Sequence, residues 1–92
     1  MTDDKIDAVL TGMLDALSSI EHERWSHWQR YMHSKCLAQP DGSLVIPPDL
    51  VRQWNEQMNK NFADLSEKEK DSDREQVQKY LPFISETLKR SL

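Results

Sequence analysis

Hydrophobic residues recur at helical spacing along most of this chain. In the first twenty residues they form one stripe, at Ile6, Val9, Leu10, Met13, Leu17 and Ile20. This periodicity predicts an amphipathic helix, with Thr2 as its N-cap. Gly12 lies inside the stripe, and glycine lowers the stability of a helix by about 1 kcal/mol relative to alanine. We therefore expect the middle of this helix to be locally weak.

A second stripe predicts a helix that carries most of the aromatic side chains. Its members are Trp25, Trp28, Met32 and Cys36. Ser18 followed by Glu21 fits a capping box, which predicts a helix start there, after a bend or as a continuation. Pro40–Gly42 is a sequence typical of turns, and it predicts that the helix has ended by that point. The next segment, 43–46, is expected to be extended and too short to build a sheet.

Two further helices are predicted in the second half of the chain. Pro47 and Pro48 open the first of them, because proline is well tolerated at the first helical position. Ser66 with Glu69 is a capping box for the next helix, which Pro82 kinks or restarts. The apolar stripes are Leu50, Trp54 and Met58 in one helix, then Val77, Leu81, Ile84 and Leu88 in the other. The pattern predicts an all-α fold, a compact bundle of four to five helices, with residues 1–19 as an N-terminal amphipathic helix and 20–92 as the helical domain.

Composition narrows the classes of function. The 92 residues suffice for one domain, and 16 acidic against 12 basic residues give a net charge of −4. This charge argues against a protein that coats nucleic acid or an anionic membrane. A lone Cys36, an acidic N-terminal sequence and the lack of a long apolar run favour a cytoplasmic protein, in the host cytoplasm if a phage encodes it.

Two segments resemble a known family. His22–Trp25 is similar to a His-x-x-Trp motif, and Phe62–Arg74 is similar to Tyr-x-x-Leu-[Ser/Pro]-x-x-Glu-Lys-x-x-Asp-Arg. Both motifs belong to the ryanodine-receptor repeat (RyR) domain family, which includes small stand-alone bacterial and phage members. The chain departs from that pattern in having Phe62 for the tyrosine and in lacking the family's Gly-Trp-x-Tyr-Gly stretch.

The resemblance implies a non-catalytic binding module, with a nucleotide-type ligand held against aromatic side chains. In this hypothesis Trp25 stacks on the base, Arg74 binds phosphate, and Asp73 orients Arg74 or accepts a ribose hydroxyl, while His22 and Phe62 shape the pocket. The secondary candidates are Trp28, Tyr31, Trp54 and Lys70. A purely structural interpretation is also open: Arg74 forms a salt bridge to another helix, and the aromatic residues are core or interface.

The functional hypothesis is therefore a sensor or sponge for a small anionic ligand, such as a nucleotide-derived signal, acting in phage anti-defence. The alternative is a protein–protein interaction module, or a phage inhibitor of a host protein complex. In that alternative, residues 3–20 pair with a partner helix or with a second copy to form a homo-oligomer.

Catalytic and metal chemistry have little support in the sequence. No nucleophile lies in a glycine-framed turn, and no glycine-rich phosphate loop is present. His33 and Cys36 are one helical turn apart, but a structural zinc site needs four ligands. We expect no enzyme activity, no cofactor and no metal.

Overall fold

The computed structural model describes residues 2–91, and helices dominate them. The α-helices are α1 (Asp3–Gly12), α2 (Leu14–Lys35), α3 (Pro48–Met58), α4 (Glu67–Gln78) and α5 (Leu81–Ser91). A hairpin of β1 (Leu37–Ala38) and β2 (Leu44–Val45) follows α2, and a short 3-10 turn, Phe62–Asp64, precedes α4. The predicted all-α class is confirmed.

The break between α1 and α2 lies at Gly12 and Met13, where Gly12 weakens the helix. The Met13 N–H bonds to the Leu10 carbonyl at 3.0 Å, and this single turn residue separates α1 from α2. The capping box predicted at Ser18 is wrong, and of the two alternatives there the helix continues: Ser18 and Glu21 lie inside α2, which runs without interruption past residue 20. The Glu21 carboxylate bonds to other side chains instead of capping a helix. The division at residues 19 and 20 thus falls within one continuous helix.

The predicted turn after α2 is confirmed, and it closes a small sheet. Asp41 accepts hydrogen bonds from the backbone N–H and the hydroxyl of Ser43, at 2.9 and 2.6 Å, and these bonds lower the pKa of its carboxyl. Gly42 has a φ of 89°, a conformation that favours glycine. Leu37 then pairs with Val45 in antiparallel register. The expectation that 43–46 builds no sheet is wrong, because this turn brings β2 back onto β1.

The predicted helix starts in the second half are confirmed. Pro48 occupies the first turn of α3. Ser66 accepts a hydrogen bond from the Glu69 N–H at 3.2 Å, and the Glu69 carboxylate accepts one from the Ser66 N–H at 3.0 Å. Pro82 lies in the first turn of α5, so the chain restarts its helix there.

These helices enclose little common core. Met13 is the one fully buried hydrophobic side chain among the described residues, with 1 % of its surface accessible. The molecule measures 55 × 34 × 18 Å and its radius of gyration is 18.2 Å, whereas a globular chain of this length has about 12 Å. The helices are therefore spread along one axis. Helix α1 contacts both α2 and α5, and α4 contacts α5.

Candidate binding groove

A groove of about 590 Å³ lies between α2, α3 and α4. Three aromatic side chains line one part of it: Trp28 and Tyr31 from α2 and Trp54 from α3. Residues of α4 form another wall, among them Ser72 and Asp73. We call this concavity the aromatic groove.

The aromatic rings pack against one another and remain partly open to solvent. Trp28 meets Trp54 edge-on, with ring centroids 5.6 Å apart, and Trp28 lies 5.7 Å from Tyr31. The Trp28–Trp54 pair joins α2 to α3. Edge-on packing is one of the arrangements that stabilise aromatic pairs. Trp28 is 40 % exposed and Tyr31 is 43 % exposed, so both rings still offer surface to a ligand or partner.

The charges around the aromatic groove are mixed, with a slight excess of acids. Two basic side chains, Arg24 and Lys68, line it together with three acidic ones, Glu69, Asp73 and Glu75. Arg24 is already paired with Glu21 on its own helix. The lining side chains therefore supply no excess of positive charge that would attract an anion.

A polar cluster that includes Arg24 ties α2 to the segment between α4 and α5. The Glu21 carboxylate accepts hydrogen bonds from the Arg24 guanidinium and from the Tyr80 hydroxyl. Together these bonds lower the pKa of Glu21 from 4.5 to about 2, with Arg24 as the larger cause. The bond to Glu21 also raises the pKa of Tyr80. The geometry therefore favours an ionised Glu21 beside a neutral Tyr80.

Arg74 lies outside the aromatic groove, on another face of α4. Its guanidinium donates to Asp71 at 2.8 Å and to Glu67 at 3.2 Å, and it lies 5.6 Å from the centre of the Phe62 ring. The carboxylates raise the pKa of Arg74. Lys70 lies near the same ring, at 5.9 Å. The salt bridge expected from Arg74 to another helix is wrong, since both carboxylates belong to α4 itself.

Trp25 and His22 occupy a third location. Their rings stack with centroids 6.0 Å apart and planes 19° from parallel. Trp25 lines a shallow depression of about 320 Å³ together with other residues of α2, such as Gln29 and His33. Trp25 is 53 % exposed and does not border the aromatic groove.

The sequence-predicted site residues are thus distributed over three places. Asp73 borders the aromatic groove, Phe62 and Arg74 lie together on another face of α4, and His22 and Trp25 form a pair on α2. Arg74 lines neither the aromatic groove nor the depression beside Trp25. Adjacent residues of a helix point about 100° apart, which is why Asp73 faces the groove while Arg74 does not.

Three of the secondary candidates line the aromatic groove, and sequence reasoning missed several of their neighbours. Arg24, Trp28 and Tyr31 follow one another at i, i+4 and i+7, a spacing that places them on one helix face. The same spacing could have identified Arg24 as a residue of this face from the sequence. No sequence pattern identifies the α4 residues that line the groove, such as Lys68 and Glu75, because their position beside α2 depends on the tertiary fold.

Within residues 2–91, no group of three or more His, Cys, Asp or Glu side chains is placed to hold a metal ion. In the same part of the chain, every helix is too short or too polar to span a bilayer.

Comparisons with family models, with curated proteins and with solved structures give no match for this chain. The resemblance of His22–Trp25 and Phe62–Arg74 to the RyR domain family stays a prediction.

Proposed function

We propose that this protein is a non-catalytic protein-interaction module whose helices complete their hydrophobic core against another polypeptide. The observation that carries the proposal is that Met13 is the one fully buried hydrophobic side chain among the described residues. Burial of apolar surface is the main favourable contribution to folding, and the other large apolar side chains of the described residues are only partly covered. A partner that covers the open apolar faces supplies the missing hydrophobic free energy.

The exposed hydrophobic side chains support the same proposal. They occur on every element of the chain, and large examples on α1 and α2 are Leu10 at 48 %, Leu14 at 64 % and Trp25 at 53 % exposure. Tryptophan and tyrosine are favoured anchors at interfaces, and Trp25, Trp28 and Tyr31 are each more than a third exposed. These side chains provide apolar surface that a partner polypeptide would cover.

Hydrogen exchange on the dilute, isolated protein tests the proposal. We expect the amides of α1, α3 and α5 to exchange rapidly, and thermal unfolding followed by circular dichroism to be broad, because the isolated chain lacks a complete core. Sharp, cooperative unfolding of the monomer, with amides protected along all helices, would contradict the proposal.

A second candidate function is the binding of a small ligand, with a nucleotide or nucleotide-derived signal as the hypothesis. Two observations favour a ligand: the aromatic groove has a volume of about 590 Å³, within the usual range for ligand pockets, and it carries exposed rings on which a base could stack. The excess of acids around it weighs against phosphate. The pairing of Arg74 with Asp71 and Glu67 also reduces the attraction of that arginine for an anion.

Isothermal titration against mono-, di- and cyclic nucleotides tests this second candidate. If the groove binds the base, Trp28→Ala abolishes the heat and Trp25→Ala does not. If instead the site predicted from sequence binds it, Trp25→Ala and Arg74→Ala abolish the heat. An absence of heat with every nucleotide would contradict both versions.

A further inference from the structure

We propose that the polypeptide that completes this core is a second copy of the chain, packed antiparallel along α1 and α2. The inference rests on the proposed function, and it names the partner. Three observations carry it: the amount of surface left open, the exposed apolar residues on α2, and the distribution of charge along residues 3–35.

The accessible surface of the chain exceeds what a compact monomer of its mass presents. The surface is 7379 Å², whereas a folded monomer of 10.8 kDa has about 5,500 Å². The excess is about 1,900 Å² for each chain. Obligate homodimers bury about 2,000–5,000 Å² in total, which is about 1,000–2,500 Å² for each subunit. The excess surface is therefore of the size that one obligate dimer interface removes.

Two large apolar side chains on α2 are exposed and lie outside the aromatic groove. Leu14 is 64 % exposed and Trp25 is 53 % exposed. They are separated by close to three helical turns, so they lie on the same face of α2, about 16 Å apart along its axis. The depression beside Trp25 is shallow and is lined by α2 alone, which leaves this face open to a partner helix.

The charge along this segment changes sign in the middle of α2. Residues 3–23 contain six acidic side chains and one lysine, whereas residues 24–35 contain Arg24, Arg30 and Lys35 and no acid. Two copies in parallel would place like charges side by side. Two copies in antiparallel order place each acidic half beside the basic half of the other, which favours this orientation.

The apolar residues and the charges are compatible with one register. If the two-fold axis crosses α2 midway between Leu14 and Trp25, each Trp25 lies beside Leu14 of the other copy. The same register places Asp15 of one copy level with Arg24 of the other. Because a two-fold interface repeats each contact, one such pair of residues supplies two apolar contacts to the dimer.

Sedimentation equilibrium of the full chain gives the first test. We expect a mass of twice 10.8 kDa at micromolar concentration. Leu14→Glu and Trp25→Glu should each weaken the dimer about tenfold or more, because each places a charge at the centre of the interface. Met58→Glu is the matched control: Met58 is equally apolar and 72 % exposed, but it lies on α3, and its replacement should leave the dimer unchanged.

Disulfide cross-linking tests the register in a Cys36→Ser background. An equimolar mixture of the Leu14→Cys and Trp25→Cys proteins should cross-link on oxidation, whereas either protein alone should cross-link little. Self-cross-linking of Leu14→Cys as fast as the mixture would overturn the antiparallel arrangement. Leu14 and Trp25 are both exposed, so far-UV circular dichroism of the two cysteine variants should match that of the Cys36→Ser protein.

The results separate this inference from the proposed function. If the chain stays monomeric at high micromolar concentration and unfolds without cooperativity, the partner is not a second copy. The proposed function then stands, with a different polypeptide as the partner. A monomer that unfolds cooperatively, with protected amides, overturns both.

Discussion

Tyr80 donates its hydroxyl hydrogen to the carboxylate of Glu21, a residue 59 positions away in the chain. Arg24 donates to the same carboxylate, so Glu21 is held by one neighbour on its own helix and by one from the α4–α5 junction. In a molecule with little buried core, this polar contact helps to fix the position of α2 relative to α5.

Replacement of Tyr80 by phenylalanine removes this contact while keeping the ring. Because the Tyr80 bond is the second cause of the lowered Glu21 pKa, we expect that pKa to rise above its value of about 2 but to stay below 4.5, since Arg24 remains. A carbon-detected NMR titration of the Glu21 carboxylate measures the change. Tyr31→Phe serves as the control, and an identical Glu21 titration in Tyr80→Phe and the parent protein would show that the bond is absent in solution.

The depressed pKa of Glu21 also predicts how stability depends on pH. A carboxyl whose pKa is lower in the folded protein contributes stability above its unfolded pKa, and the contribution is lost as pH falls through the folded value. For Glu21 the loss should occur between about pH 4.5 and about pH 2. Urea unfolding at a series of pH values measures it, and Glu21→Gln should flatten the curve in that window. Glu23→Gln, the neighbouring acid, should leave the Glu21 step intact.

The capping box at the start of α4 is a local source of stability. Ser66→Ala removes the acceptor for the Glu69 N–H, and we expect a loss of about 1 kcal/mol in the free energy of unfolding. Urea unfolding at one fixed protein concentration measures the loss. Ser72→Ala is the matched control, since Ser72 lies inside α4, where alanine is a better helix former. Equal effects of the two substitutions would argue against the capping role.

The two glycines should respond to alanine in opposite directions. At Gly12, a Cβ would meet no atom within 4 Å, so Gly12→Ala should stabilise the α1–α2 junction by about 0.5–1 kcal/mol and increase the helical circular dichroism signal. At Gly42 the φ of 89° is strained for alanine, so Gly42→Ala should destabilise the hairpin by about 1–2 kcal/mol. Thermal unfolding of both variants measures the signs, and a shift in the same direction for both would contradict this assignment.

Much of the local structure could be predicted from the sequence because its determinants act over three or four residues. Thr2 caps α1, Ser66 and Glu69 cap α4, and Pro40–Gly42 closes the turn, all as their residue types predict. The capping box at Ser18 is absent because α2 continues through that position, and Glu21 bonds to Arg24 on the same helix and to Tyr80 from a distant segment.

The arrangement of the candidate site was decided by the tertiary structure. The family resemblance grouped Arg74 with Asp73 and Trp25, yet α4 turns Asp73 toward the groove and leaves Arg74 among its own carboxylates. The sequence by itself determined where the helices begin and which faces are apolar, because those properties depend on near neighbours. Which faces meet was decided by contacts between distant segments, such as Tyr80 with Glu21 and Trp28 with Trp54, whose distances depend on how the whole chain packs.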